Sequence, residues 1–181
     1  MSYRPNHFRV VIAVLFFAAA AGTSRAQIII HTATDLQGVS SNMAARYVLD
    51  ADIDLGGIAD FTPIGMSGSG SANADPIPFT GALDGAGHTI TGLAQVSANR
   101  SAGLFGLIGS GASIMNLRLQ NARLTWNYSG GTAAAGNPIP GMMGILAGRN
   151  YGTIENVTVN GTIVSTAAGS ACGGIVGVNI G

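Results

Sequence analysis

A glycine-punctuated motif recurs along this chain at a spacing of a few tens of residues. It limits the possible folds more than any other feature. Residues Gly103-Leu-Phe-Gly-Leu-Ile-Gly-Ser-Gly-Ala-Ser-Ile-Met-Asn-Leu-Arg-Leu119 run in parallel with Gly144-Ile-Leu-Ala-Gly-Arg-Asn-Tyr-Gly-Thr-Ile-Glu-Asn-Val-Thr-Val159. A third copy begins at Gly173-Gly-Ile-Val-Gly-Val-Asn-Ile-Gly181 and breaks off there, so the domain is expected to be truncated at its C-terminal end. Repeats built of short β-branched runs and glycine turns predict an all-β solenoid, with each unit one coil stacked on the last. Such a fold offers a long surface rather than an enclosed pocket. Binding or spacing is therefore the expected work, not chemistry.

The two full copies share the pattern Ile-x-Asn-apolar-x-apolar. Stacked coils would place Ile114 on Ile154, Leu117 on Val157 and Leu119 on Val159. Asn116 and Asn156 would share one corner, where asparagines can bond along the stack. The offset between these asparagines is 40 residues, against 29 between Gly148 and Gly177. The Gly-, Ala-, Asn- and Pro-rich segment 127–140 accounts for much of the difference as an excursion from one coil. With 28 glycines in 181 residues, the chain carries about twice the usual glycine content. Regular β-branched strands and low charge set it apart from a disordered Gly/Ser-rich segment.

Upstream, Gln27 to His31 reads as a short apolar strand. Thr34 and Gln37 have the spacing of a capping box, predicting a helix from about 35 to 43 with Leu36, Val39 and Met43 on its apolar stripe. That helix would cover the first coil and protect its open edge. Tyr47 to Leu55 alternates strictly, with Tyr47, Leu49, Ala51, Ile53 and Leu55 on one side and Asp50, Asp52 and Asp54 on the other. Period two predicts a half-buried strand. Asp84, Gly85 and Gly87 read as turn residues supplying positive φ.

Residues 1–26 read as a secretory signal peptide. Arg4 and Arg9 supply a basic start, Val10–Gly22 an apolar run, and Ser24-Arg25-Ala26 the small residues of a cleavage site between Ala26 and Gln27. The apolar run holds 13 residues, short of the ~20 that a membrane anchor needs. No later stretch could span a membrane. Removing Arg4, Arg9 and Arg25 leaves five arginines, no lysine and eight acidic residues, for a net charge of −3. A weakly acidic, charge-poor surface speaks against nucleic acid and anionic lipid as partners. Cys172 is the single cysteine, so no disulfide forms within the chain. It is expected to be buried as a small apolar residue.

Gly144-Ile-Leu-Ala-Gly-Arg-Asn-Tyr-Gly-Thr-Ile-Glu-Asn-Val and Gly174-Ile-Val-Gly-Val-Asn-Ile-Gly181 resemble the GLUG motif of bacterial surface and secreted proteins. Some of those are related to filamentous haemagglutinin, and some are IgA-specific metallopeptidases. The segment from Thr34 to Ile90 is similar to the one that commonly precedes such repeats. The resemblance covers nearly all of 27–181. It implies a right-handed parallel β-helix with a short N-terminal capping helix, and it implies no particular activity. The 103–119 copy departs from the pattern at Phe105 and around Ser110.

The best candidate site is Asp50, Asp52 and Asp54, on one strand face with steps of about 7 Å. These could begin a calcium ligand set, or serve as the acidic residues of a polysaccharide-active β-helix enzyme. The alternative is a solvated face that keeps the strand soluble. His88, near Asp84 in sequence, could act as a general base or bond a turn carbonyl. Trp126 and Tyr128 could stack on sugars or anchor a protein partner, or else cap the core. The Asn-x-Ser/Thr sequons at Asn99, Asn127, Asn156 and Asn160 read as incidental. No His-Glu-x-x-His helix, Gly-x-Ser-x-Gly elbow or phosphate loop occurs.

Together these features predict a non-catalytic, adhesin-like module binding an extracellular protein or glycan, with no cofactor. The alternatives are the β-helix enzyme and a purely structural stalk. An open C-terminal coil is also expected to self-associate through unpaired backbone groups. If residues 1–26 are a signal peptide, Edman sequencing of the exported product will start at Gln27. A retained Met1 on the exported protein would overturn that reading.

Overall fold

The computed structural model describes residues 26–66, 76–97, 99–127, 131–132, 138–139, 141–166 and 170–181. The expected signal peptide, apart from Ala26, lies outside the described residues, as do Tyr128 and most of the 66–78 and 127–140 segments. The chain is mostly β, and its principal sheets are parallel. It opens with β1 (Gln27–Ile30), α1 (Ala33–Gly38) and a 3-10 turn at Val39–Ser41. Strands β2 (Arg46–Leu49), β3 (Ile53–Asp54), β4 (Ala82–Asp84), β5 (Thr89–Thr91) and β6 (Ala94–Ser97) follow. Then come β7 (Ser101–Ala102), β8 (Phe105–Ile108) and the long β9 (Ser113–Trp126). A short antiparallel pair, β10 (Gly131–Thr132) and β11 (Pro138–Ile139), lies within the 127–140 excursion. The chain continues with β12 (Met142–Gly144), β13 (Ala147–Asn150), β14 (Thr153–Ser165), β15 (Ala171–Gly173) and β16 (Val176–Asn179).

From β7 onward the chain visits three parallel sheets in one order, β7, β8 and β9, then β12, β13 and β14, then β15 and β16, whereas β1 to β6 all lie in the largest sheet. The largest sheet runs β1-β2-β4-β9-β14, with β3, β5 and β6 alongside. The others are β7-β12-β15 and β8-β13-β16. The sequence repeats align in register: Ile114 pairs with Ile154, Leu117 with Val157 and Leu119 with Val159. Pairing of Ala147 with Val176 and Arg149 with Val178 also puts Gly148 beside Gly177.

Alternation decides which side chains face inward. Tyr47, Leu83, Ile114 and Ile154 form one inward row across β2, β4, β9 and β14. The first three are buried, whereas Ile154 at the far side is half-buried. Phe61, Ile64, Phe79 and Phe105 fill the interior opposite, with the Phe79 and Phe105 ring centres 5.0 Å apart. Trp126 is wholly buried at the end of β9. Close packing also explains Gly144, where a Cβ would lie 2.5 Å from the Ala147 carbonyl oxygen and 2.6 Å from that of Ile175.

Several expectations are corrected. The helix cap is Thr32, not Thr34. Asp35 N–H donates to Thr32 Oγ1 at 3.1 Å, and Thr32 N–H donates to Asp35 Oδ2 at 2.9 Å. A carboxylate three residues after Thr32 is a stronger acceptor than the amide three residues after Thr34. Gln37 instead donates to the Thr62 carbonyl at 3.0 Å. The helix is correspondingly shorter than 35–43, although Leu36 and Val39 are buried as expected.

The predicted strand from Tyr47 to Leu55 is two strands, β2 and β3, broken at Asp50–Asp52. The break lies level with the turn between β4 and β5, and with Asn116 in β9. In that turn positive φ falls on Ala86 and Gly87, not on Asp84 or Gly85. Asn116 and Asn156 adopt left-handed φ of 52° and 51°. Asn116 Nδ2 donates to Asp84 Oδ1 at 3.1 Å, and Asn156 Nδ2 donates to Asn116 Oδ1 at 2.9 Å. A left-handed backbone strains most L-residues and strains asparagine least after glycine. Asn116→Ala, which keeps the strain and loses both bonds, is expected to destabilise by ~2 kcal/mol. Asn116→Gly, which relieves the strain, is expected to cost about half as much. Urea midpoints of the two variants check this ordering.

Candidate functional site

Strand alternation and the break after β2 together aim Asp50, Asp52 and Asp54 outward. All three are exposed, yet each has its own partner. Asp50 Oδ1 lies 2.7 Å from His31 Nδ1. Asp52 Oδ1 lies 3.1 Å from His88 Nδ1 and accepts the Thr89 N–H at 2.9 Å. Asp54 Oδ1 accepts the Gly56 N–H at 2.8 Å and closes the turn after β3. The three carboxylates therefore do not converge. Among the described residues no group of three His, Cys, Asp or Glu side chains is placed to hold a metal ion.

His88 turns away from the expected Asp84 and pairs with Asp52 across 36 residues of sequence. Asp84 is occupied: its Oδ1 accepts from Ala86 N–H and Asn116 Nδ2. The loop carrying His88 is pinned by Arg118, whose Nη1 donates to the Gly87 carbonyl. The Thr89 N–H, then His88, holds the Asp52 carboxyl below the usual range. Asp35 is lowered chiefly by the Thr32 hydroxyl and the His31 N–H.

On this face the outward residues form cross-strand rows. Thr89, Arg118 and Thr158 are paired across β5, β9 and β14, and Thr91 is paired with Gln120. A groove of about 290 Å³ lies among Asp52, Asp54, Thr89, Thr91 and Gln120. A second, of about 550 Å³, opens at β14 and β16 between Asn150, Thr153, Ile154, Ile175 and Asn179. Ile175, Val164 and Ile180 are exposed at that side.

Trp126 is not a surface contact. Its indole is buried, and Nε1 donates to the Asn99 carbonyl at 2.7 Å. Alternation along β9 drives it inward behind Leu124. Cys172, expected to be buried, is exposed, because β15 is the outermost strand of its sheet.

Two buried polar groups were missed in the sequence. Asn150, 3% exposed, donates Nδ2 to Asn179 Oδ1 at 2.7 Å and clamps the Gly152 backbone. The shared Gly-x-Asn-x-Gly spelling at 148–152 and 177–181 was its signal. Gln95 is buried against both backbone groups of Gly103, and nothing in its sequence neighbourhood marks it.

No family model matches the chain. Its sequence is similar to halomucin from Haloquadratum walsbyi, at 37% identity over 162 residues, covering 86% of this chain and 2% of halomucin. It is also similar to a protein of Evansella cellulosilytica named as a Gly-rich membrane protein. Identity there is 34% over 146 residues, covering 79% of this chain and 15% of that protein. The chain thus spans only a small part of either relative. A solved structure from Bacteroides ovatus, assigned as an immunoglobulin A1 protease, aligns with a TM-score of 0.46 and 20% identity. It covers 88% of this chain and 55% of that one. Among the described residues no helix is long and apolar enough to cross a membrane.

The lowered Asp52 and Asp35 values fix a pH dependence. Each carboxyl binds its proton less tightly folded than unfolded. The stability they contribute is present above the unfolded value near 3.8 and is lost as pH falls through the lower folded values. Asp52→Asn is expected to flatten the acid limb of a melting-temperature profile below about pH 4. An unchanged limb would show that Asp52 does not carry it.

Proposed function

We propose that this chain is a GLUG-type, right-handed parallel β-helix acting as a secreted or cell-surface, non-catalytic repeat module. The observation carrying this reading is the in-register stacking of the motif copies, Ile114 on Ile154 with Asn156 bonded to Asn116. Each pass of chain then presents the same kind of outward row. Such a surface suits a repetitive extracellular ligand, a glycan or a protein, better than a single small substrate. The likeness to halomucin and to a Gly-rich membrane protein supports a surface setting. Export would be directed by residues 1–26. The exposed edges of β14, β15 and β16, with Val164 and Ile175, support self-association through that side.

One observation favours the enzyme reading instead. His88 Nδ1 bonded to Asp52 makes a carboxylate-oriented imidazole, an arrangement that suits a base at Nε2. An assay of polysaccharide depolymerisation separates the two readings. The surface-module reading expects no cleavage by wild type, and binding of the protein to intact cells or extracellular matrix. Turnover abolished by Asp52→Asn or His88→Ala would overturn it in favour of the enzyme.

A further inference from the structure

We infer that the outer edge of β14 is a docking site for an extended segment of another polypeptide, one that carries the chain's own pattern Ile-x-Asn-apolar-x-apolar and adds to β14 as a parallel strand. The inference rests on the stacking behind the surface-module reading above and names the partner for that side. The contact it requires already exists once, between β9 and β14. There Ile154, Val157, Val159 and Ile163 lie on Ile114, Leu117, Leu119 and Leu124 in parallel register. Covered by β14, those four β9 side chains are at most 1% exposed. Their partners on β14 are only partly buried, because β14 pairs with β9 alone among the described residues.

Two further features define what fits. The asparagine line has a direction. Asn116 Nδ2 donates to Asp84 Oδ1, and Asn156 Nδ2 donates to Asn116 Oδ1, whereas Asn156 Oδ1 receives no donor among the described residues. The next member must bring an amide N–H to that level, in a backbone that follows the left-handed turn of Asn156 at φ 51°. Asparagine does both. In addition, a groove of about 550 Å³ opens over Ile154, Ile175 and Val176 at the start of β14. It stands where the isoleucine of an incoming strand would lie on Ile154, as Ile154 lies on Ile114. Filling it removes apolar surface of both partners from water. A second copy of this chain is the poorer occupant. Its β9 is enclosed between neighbouring strands, and β1, Gln27–Ile30, at the other margin of the largest sheet, carries no asparagine. Two β14 edges with their apolar rows inward would meet antiparallel, with those rows running in opposite order.

Fluorescence anisotropy of a labelled peptide of sequence Gly152–Ser165, with lysines added at its end for solubility, tests the assignment on the folded chain. The peptide is expected to bind, and the same residues in reversed order to bind at least about tenfold more weakly. Alanine in place of the peptide's first asparagine should weaken binding about fivefold. Alanine in place of its first isoleucine should weaken it about tenfold. In the protein, Ile175→Asp, a change at an exposed side chain of the groove, is expected to cost about tenfold. Register has its own readout. In a Cys172→Ser background, Thr158→Cys is expected to form a disulfide with a peptide bearing cysteine at its own Thr158 position, and not at its Thr162 position. Equal binding of both peptide orders, or a disulfide at the shifted position alone, would overturn the parallel register. Absence of peptide binding would overturn the inference, while the surface-module reading is judged separately by cell and matrix binding. Where the chain self-associates in light scattering, the peptide is expected to dissociate it. A dimer that the peptide leaves intact would assign the edge to a second copy and overturn the inference.

Discussion

The stack depends on a short line of hydrogen bonds, Asp84 to Asn116 to Asn156. Parallel strands stacked in register need a corner where the backbone turns and every copy turns alike. Asparagine meets both needs. It tolerates the left-handed backbone that the corner requires, and its amide bonds the next copy of itself. Asp84 begins the line by accepting from Asn116 and by capping its own turn at Ala86. Slippage by one residue would break these bonds and turn the inward row of Tyr47, Leu83 and Ile114 toward water. Register, burial and the corner are therefore one constraint.

The two sides of the stack differ in chemistry. At the start, α1 buries Leu36, the 3-10 turn after it buries Val39, and Thr34 and Asp35 face outward. At β14 to β16 the inward positions are only half-buried, and Ile175 and Val164 are exposed. The polar outward face lies between these ends. There the charges are few and individually placed, with Asp50 on His31, Asp52 on His88 and Arg118 on Gly87. Exposed pairs like these contribute little stability. Their effect is to orient the carboxylates.

What could be read from the residues was periodic. The matching of Ile114 to Ile154 and Leu117 to Val157 follows from aligning two copies of one motif. The inward set of the Tyr47–Leu55 segment follows from alternation. The errors arose where two local options were equal on paper. Thr32 precedes α1 while Thr34 lies in its first turn, and the bond between Asp35 and Thr32 marks which of them is the cap. His88 lies four residues from Asp84 but bonds Asp52, because β3 and β5 are neighbours in space. Trp126 sits beside a loop in sequence, yet the parity of β9 sends it inward.

Taken alone, the sequence determined the class of fold, the ladder of apolar residues and the asparagine corners, since repetition and alternation are local properties that survive without coordinates. Only the tertiary structure decided how the polar residues are used. Asp52 and His88 are 36 residues apart, and Asn150 and Asn179 are 29 apart. Such meetings depend on which strands become neighbours. The same dependence separates a groove from a scatter of exposed side chains. Asp54, Thr91 and Gln120 come from three strands, and only the parallel register sets them on one face.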